Sequence, residues 1–279
     1  MLLDEKLHKS DQPVDQMGRP YNRLILVFTM LVGTFSTFLT STMLTTALPT
    51  LMKSFSISAN TVQWLTTGFM LMMGIIIPIT GFFLQRFDSR KLYLSAILIF
   101  GIGTLLCLSA TNFWMILAGR LIQGAGVGIT APVYQTIMTS IFPPSKRGAA
   151  MGTAGMVVGL APAIGPTLSG WILMHYSWRM LFLFILPILV LVLIMGWFTL
   201  RKVLPTKKAP IDWLSVLLSV IGFGSMLFAF SAVGDYQWTD PIVYVTLTIG
   251  VIVVALFVWR SLKINNPLLQ LKVFKNGEF

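Results

Sequence analysis

The sequence predicts an all-α polytopic membrane protein with its N-terminus inside, and three observations carry that prediction. Of its 279 residues, 56% are hydrophobic and only 10% are charged, with a mean hydropathy of +0.82, a composition suited to lipid rather than water. Eight stretches almost free of charge are each long enough to cross a roughly 30 Å hydrocarbon core as a helix. If those spans alternate in direction, 17 of the 20 Lys and Arg residues fall on the side of the N-terminus, the bias that marks the cytoplasmic face. That distribution accounts for the net charge of +11 without a nucleic-acid partner.

Residues 1–22 are polar, carry both signs of charge and lack the apolar core of a cleaved signal, so they are expected as a cytoplasmic tail. The spans follow at residues 24–51, 62–84, 92–110, 113–142, 148–174, 181–200, 213–233 and 242–259. Segment 201–212, with two prolines and the Lys207-Lys208 pair, divides the first six spans (23–200) from a further pair (213–262), and 263–279 is expected as a cytoplasmic tail. Trp64, Trp114, Trp171, Trp178 and Trp238 fall near expected outer ends, and Trp197, Trp213 and Trp259 near inner ends, as an interfacial belt requires.

The polar residues exclude several function classes. Cys107 is the lone cysteine, and His8 and His175 are far apart, so neither a disulfide framework nor a metal pair is expected. All nine acidic residues fall in loops, tails or span ends, which leaves no paired carboxylates for acid–base catalysis within the membrane. The chain is read as a non-enzyme, with no cofactor and no metal.

Three intramembrane features remain. In 155–170, the residues Gly155, Gly159, Pro162, Gly165, Pro166 and Gly170 would ruin a soluble helix. In a membrane bundle, small residues four apart admit a close neighbour, and freed carbonyls find partners there. Gly155 with Gly159, and Pro166 with Gly170, are therefore expected to face another helix, on a segment that bends; an ordinary packing helix is the plainer reading. Arg120, six residues beyond Trp114, should sit about 9 Å deep, where a charge persists only beside water, a partner or a cavity. Snorkelling to the outer face is the alternative. On the first span, Thr34, Thr37, Ser41 and Thr45 share one helical face; they either line a wet cavity or bond their own helix. Met70, Met72 and Met73 make a soft patch fit for varied lipophilic molecules, although packing methionines are commoner.

The run from Gly159 to Pro166, closed by Gly170, resembles the fifth-helix antiporter signature of exporters in the major facilitator superfamily. Arg120-Leu-Ile-Gln123-Gly124-Ala-Gly126-Val-Gly128 looks like their fourth-helix motif, which implies a role for Arg120 and Gln123 in proton coupling. Residues Leu39 to Pro49 are similar to the first-helix signature of the fourteen-helix drug:proton antiporter branch, with Thr40 at the usual aspartate and Thr45 at the usual asparagine. The loop from Gly81 to Lys91 resembles the cytoplasmic gate signature, with Gln85 at the usual acid and Asp88 at the usual glycine; Gly81, Arg86, Asp88 and Arg90 carry it.

Six spans plus two match the N-terminal part of that branch, closest to lincomycin-resistance-type multidrug exporters. The resemblance implies inverted three-helix repeats, alternating access, and export of lincosamide-like antibiotics or dyes against proton entry, with Thr37, Ser41, Thr45, Met70 and Met73 as candidate cavity lining. It also implies a second six-helix bundle absent from this chain. Arg120 and the kinked fifth span are expected to meet at the bundle centre. The alternative is a truncated or non-transporting membrane module, serving as scaffold, regulator or remnant.

Overall fold

The computed structural model describes residues 13–206, 212–233 and 236–264; residues 1–12, 207–211, 234–235 and 265–279, with most of the expected tails and the Lys207-Lys208 pair, lie outside the described residues. Among the described residues eight helices make up the fold: α1 (Arg23–Phe55), α2 (Ala59–Arg86), α3 (Ser89–Leu108), α4 (Phe113–Ile141), α5 (Pro144–His175), α6 (Arg179–Thr199), α7 (Trp213–Ala232) and α8 (Pro241–Lys263). All are long and apolar enough to cross a membrane. Each expected span has its helix, and several helices extend a turn further into charged sequence, as α5 does through Lys146 and Arg147. Apolarity marks only the lipid-embedded part, whereas the helix ends are set by caps. Asn22, Ser58, Asp88 and Asn112 each accept a backbone N–H from the first turn of α1, α2, α3 and α4, and Ser56 closes α1 in the left-handed region at φ 52°.

Helices α1 to α6 share one apolar core, in which Met30, Tyr93, Ile97, Phe100, Ile185 and Val192 are fully buried. The closest packing surrounds α4, and glycines make it possible. A Cβ on Gly103 of α3 would lie 2.7 Å from the Gly119 carbonyl, and one on Gly119 would lie 2.9 Å from the Gly103 carbonyl. On its other side, Gly124 and Gly128 bring α4 against the Phe69 and Met73 carbonyls of α2, at 2.5 and 2.9 Å from the same hypothetical atom. Helix association in lipid relies on such contacts, because the tails are as apolar as the side chains.

Helices α7 and α8 pack on each other and lie against the outside of α2. Leu227 fills the space above Gly74, Ile75 meets Gly224, and the Trp64 and Phe228 rings are 6.1 Å apart. At one end of the pair, Arg260 Nη2 donates to Asp212 Oδ1 at 2.9 Å, and the Arg260 hydrogen bonds hold the Asp212 carboxyl below the usual carboxylate range. The stretch before α1 is tied to the same end of the bundle, where the Gln16 amide donates to the Lys202 carbonyl at 3.1 Å. Six of the tryptophans are well exposed, as a belt requires, but Trp178 is only 5% exposed, enclosed by Phe55 and Phe182.

Candidate functional site

Arg120 points into the bundle and is fully buried between α2, α3 and α4. Its Nε donates to the Leu65 carbonyl at 3.1 Å and its Nη1 to Gln123 Oε1 at 2.7 Å. Gln123 passes the chain on, donating from Nε2 to Thr104 Oγ1 at 2.8 Å. The guanidinium carbon stands 4.0 Å from the Phe69 ring centroid, a cation–π contact that strengthens away from water. Nη2 has no hydrogen-bond partner among the described residues, and no described carboxylate forms an ion pair with Arg120. The result is a desolvated cation held by dipoles and one aromatic face.

The expectation that Arg120 meets the Gly/Pro-rich helix does not hold. Its partners lie on α2 and α4, with Thr104 of α3 behind Gln123, and none lies on α5. Thr40 is buried but turns its hydroxyl back to the Ser36 carbonyl at 2.8 Å, so it gives Arg120 no partner.

A second feature sits some 14 residues further along α4, about 21 Å by helical rise. There α1, α4 and α5 enclose a cavity of about 260 Å³ lined by Thr34 and Phe38, by Ala131, Tyr134 and Gln135, and by Met151 and Val158 among others. Its walls are apolar apart from two hydroxyls and one amide. The Tyr134 hydroxyl is buried without a partner among the described residues, an arrangement that costs about 1–3 kcal/mol unless something fills it. Of the first-span stripe only Thr34 reaches this cavity. Thr37 and Thr45 donate to the Thr34 and Thr42 carbonyls of their own helix. Ser41, Met70 and Met73 do not line it, and Met70 is 52% exposed. Tyr134 and Gln135 were missed in the sequence, although paired polar side chains deep in a span are themselves a signal.

Helix α5 corrects the expectation for 155–170. It runs unbroken through Pro162 and Pro166, and a Cβ on Gly155, Gly159 or Gly170 would meet nothing within 4 Å among the described residues. The close approach falls on Gly165, directly over the Thr42 side chain, flanked by buried Ala161 and Ser169. Thr42 Oγ1 lies 3.2 Å from the Ala161 carbonyl and 3.0 Å from the Leu39 carbonyl of its own helix, between which its one proton is shared, and Ser169 Oγ donates to the Met43 carbonyl at 2.8 Å. Residues three to four apart face alike, so Ala161, Gly165 and Ser169 meet α1 whereas Met156, Leu160 and Ile164 stand exposed on other faces.

The expected gate loop is a tight α2–α3 turn. Gly81 lies within α2, Arg86 ends it, and Asp88 caps α3 by accepting the Arg90 amide at 2.9 Å. The Arg90 guanidinium donates to the Trp197 carbonyl at the end of α6, where the helix dipole favours a cation.

Fold and site together define an integral membrane bundle with a buried guanidinium, without an ion-pair partner among the described residues, and a side-open cavity. The chain belongs to the Major Facilitator Superfamily, whose sequence profile matches residues 30–271. It is 47% identical over 261 residues to the uncharacterized MFS-type transporter YcnB of Bacillus subtilis, covering 94% of this chain and 55% of that protein. It is 42% identical over 264 residues to the lincomycin resistance protein LmrB of the same organism, again covering 94% and 55%. To the multidrug export protein EmrB of Escherichia coli it is 31% identical over 259 residues, covering 92% and 50%. The chain thus spans about half the length of the curated relatives it matches. Among solved structures, the human organic anion transporter MFSD10 shares the fold with a TM-score of 0.60 at 18% identity, over 80% of this chain and 59% of that one.

Proposed function

We propose that this chain is the N-terminal portion of an exporter of lipophilic drugs that works by alternating access and is coupled to proton entry. The observation that carries the reading is the α1–α4–α5 cavity. Its walls bear no charge, its polar atoms are few, and both of its hydroxyls, on Thr34 and Tyr134, are buried without a hydrogen-bond partner among the described residues, which suits an uncharged or weakly polar molecule of mainly apolar surface. At about 260 Å³ it is smaller than the roughly 300–1,000 Å³ of a drug-sized site, as one wall of a larger chamber would be. On this reading residues 23–200 form the first bundle, 201–212 the linker and 213–262 an accessory pair. A second six-helix bundle packs over the exposed face of α5, and the N-terminus faces the cytoplasm. The half-length match to drug-export relatives supports that arrangement.

Arg120 supports coupling because a buried cation raises the cost of a second positive charge nearby. Cells producing the complete transporter, this chain with its second bundle, should accumulate less ethidium or lincomycin than control cells, and a protonophore should remove the difference. Equal accumulation in both would overturn export, and efflux that survives the protonophore would overturn coupling alone. A second reading, a membrane module that does not transport, is favoured by the cavity's volume of about 260 Å³ falling below that of a drug-sized site; equal accumulation would support it.

A further inference from the structure

A groove unrelated to the cavity lies between α3 and α6, at the end of the bundle that holds the α2–α3 turn. It encloses about 520 Å³ and joins two chemistries. Arg90 and Lys91 stand at its mouth, and Leu94, Leu98 and Trp197 form its wall. Lys91, Leu94 and Leu98 are spaced by three and four, so they share one face of α3, and Leu98 lies about 10 Å deeper than Lys91 by helical rise. Trp197 is 64% exposed and has the amphipathic ring that settles at headgroup depth. Asp88 also borders the groove, but its carboxylate is engaged by the Arg90 amide at the start of α3. Two cations against one carboxylate leave the mouth net positive.

We propose that this groove binds one anionic phospholipid, with its headgroup phosphate at Arg90 and Lys91 and an acyl chain along Leu94, Leu98 and Trp197. Charge complementarity selects the occupant: a zwitterionic lipid offers the same chain but no net charge to the basic mouth. Arg90 is already oriented, since its guanidinium donates to the Trp197 carbonyl and lies 5.2 Å from the Trp197 ring centroid. A bound phosphate would therefore bridge the ends of α3 and α6. The proposal needs only that the helices lie in a bilayer and is independent of what the protein transports.

The test is native mass spectrometry of the 279-residue chain released from nanodiscs of equal phosphatidylglycerol and phosphatidylcholine. Retained phosphatidylglycerol should exceed phosphatidylcholine by about fivefold, the factor one basic residue contributes beside an anionic surface. Lys91→Gln should bring the ratio close to one, whereas Lys202→Gln, at the same end but outside the groove, should leave it unchanged. Equal retention by the unaltered chain would overturn the proposal. So would equal loss in both variants, which would mean diffuse attraction, or displacement of the lipid by glycerol phosphate alone, which would mean a phosphate site without a chain groove.

Discussion

Arg120 is buried with no counter-ion among the described residues, so what it does for stability and what it does for function can be separated. Removing a buried charge relieves its desolvation cost, which offsets the hydrogen bonds given up to the Leu65 carbonyl and Gln123 Oε1; Arg120→Met should therefore leave the detergent melting temperature about unchanged and, on the proposed function, abolish protonophore-sensitive efflux. Loss of both folding and efflux would return the residue to a structural role. Gln123→Ala should behave differently, because it leaves Arg120 Nη1 without its acceptor, while the Thr104 hydroxyl keeps its bond to the Phe100 carbonyl; the loss costs about 1–3 kcal/mol, visible as a lower melting temperature. Tyr134→Phe removes a hydroxyl with no partner among the described residues, so the protein should melt no lower, while on the proposed function transport of hydrogen-bonding cargo should weaken relative to purely apolar cargo. A drop in melting temperature would show that the hydroxyl has a partner in the folded chain. The Arg120–Gln123 contact was legible in the sequence because residues three apart share a helix face. Phe69 and Thr104 were not, since they come from other helices and only packing brings them in.

Helix α4 and helix α5 both carry glycines, but only α4 uses most of them for close packing. Ala at Gly103 would meet the backbone of α4 at 2.7 Å and should cost about 1–3 kcal/mol by forcing α3 and α4 apart. Ala at Gly159 meets open space among the described residues and, in this chain without a second bundle, should gain a few tenths to about 1 kcal/mol from helix propensity. Thermal unfolding of the two variants checks the contrast; equal destabilisation would mean that the Gly159 face is packed after all. The spans themselves were legible from hydropathy, yet the facing of α5 was not. In lipid, a helix is apolar toward its neighbours and toward the bilayer alike, so no amphipathic stripe distinguishes the two. The Gly/Pro pattern marked a special helix, but Gly165 alone among its motif glycines meets α1 closely, and the packed face appeared only when α1 was in place.

On the scale of the whole molecule, the orientation and the docking of the helix pair are open to direct measurement. Cys107 is buried, so single cysteines can be labelled against a quiet background. Lys53→Cys should react with a membrane-impermeant maleimide in intact cells, and Lys146→Cys only after permeabilisation; the reverse pattern would invert the proposed topology. The Asp212–Arg260 pair adds a pH dependence. Because the folded Asp212 carboxyl titrates below its ordinary value, its contribution is fully present above the unfolded value of about 3.9 and is lost as pH falls through the folded one. Acid should loosen the ends of α7 and α8 in the unaltered protein, as read by hydrogen exchange, and Asp212→Asn should remove that sensitivity; identical acid profiles would dismiss the pair. The position of α7 and α8 has one more consequence. With Leu227 seated on Gly74 and Phe228 beside Trp64, a greasy molecule drifting sideways through the leaflets strikes this outer buttress before it touches α2, so that flank is walled off and any doorway from the bilayer must open on another side.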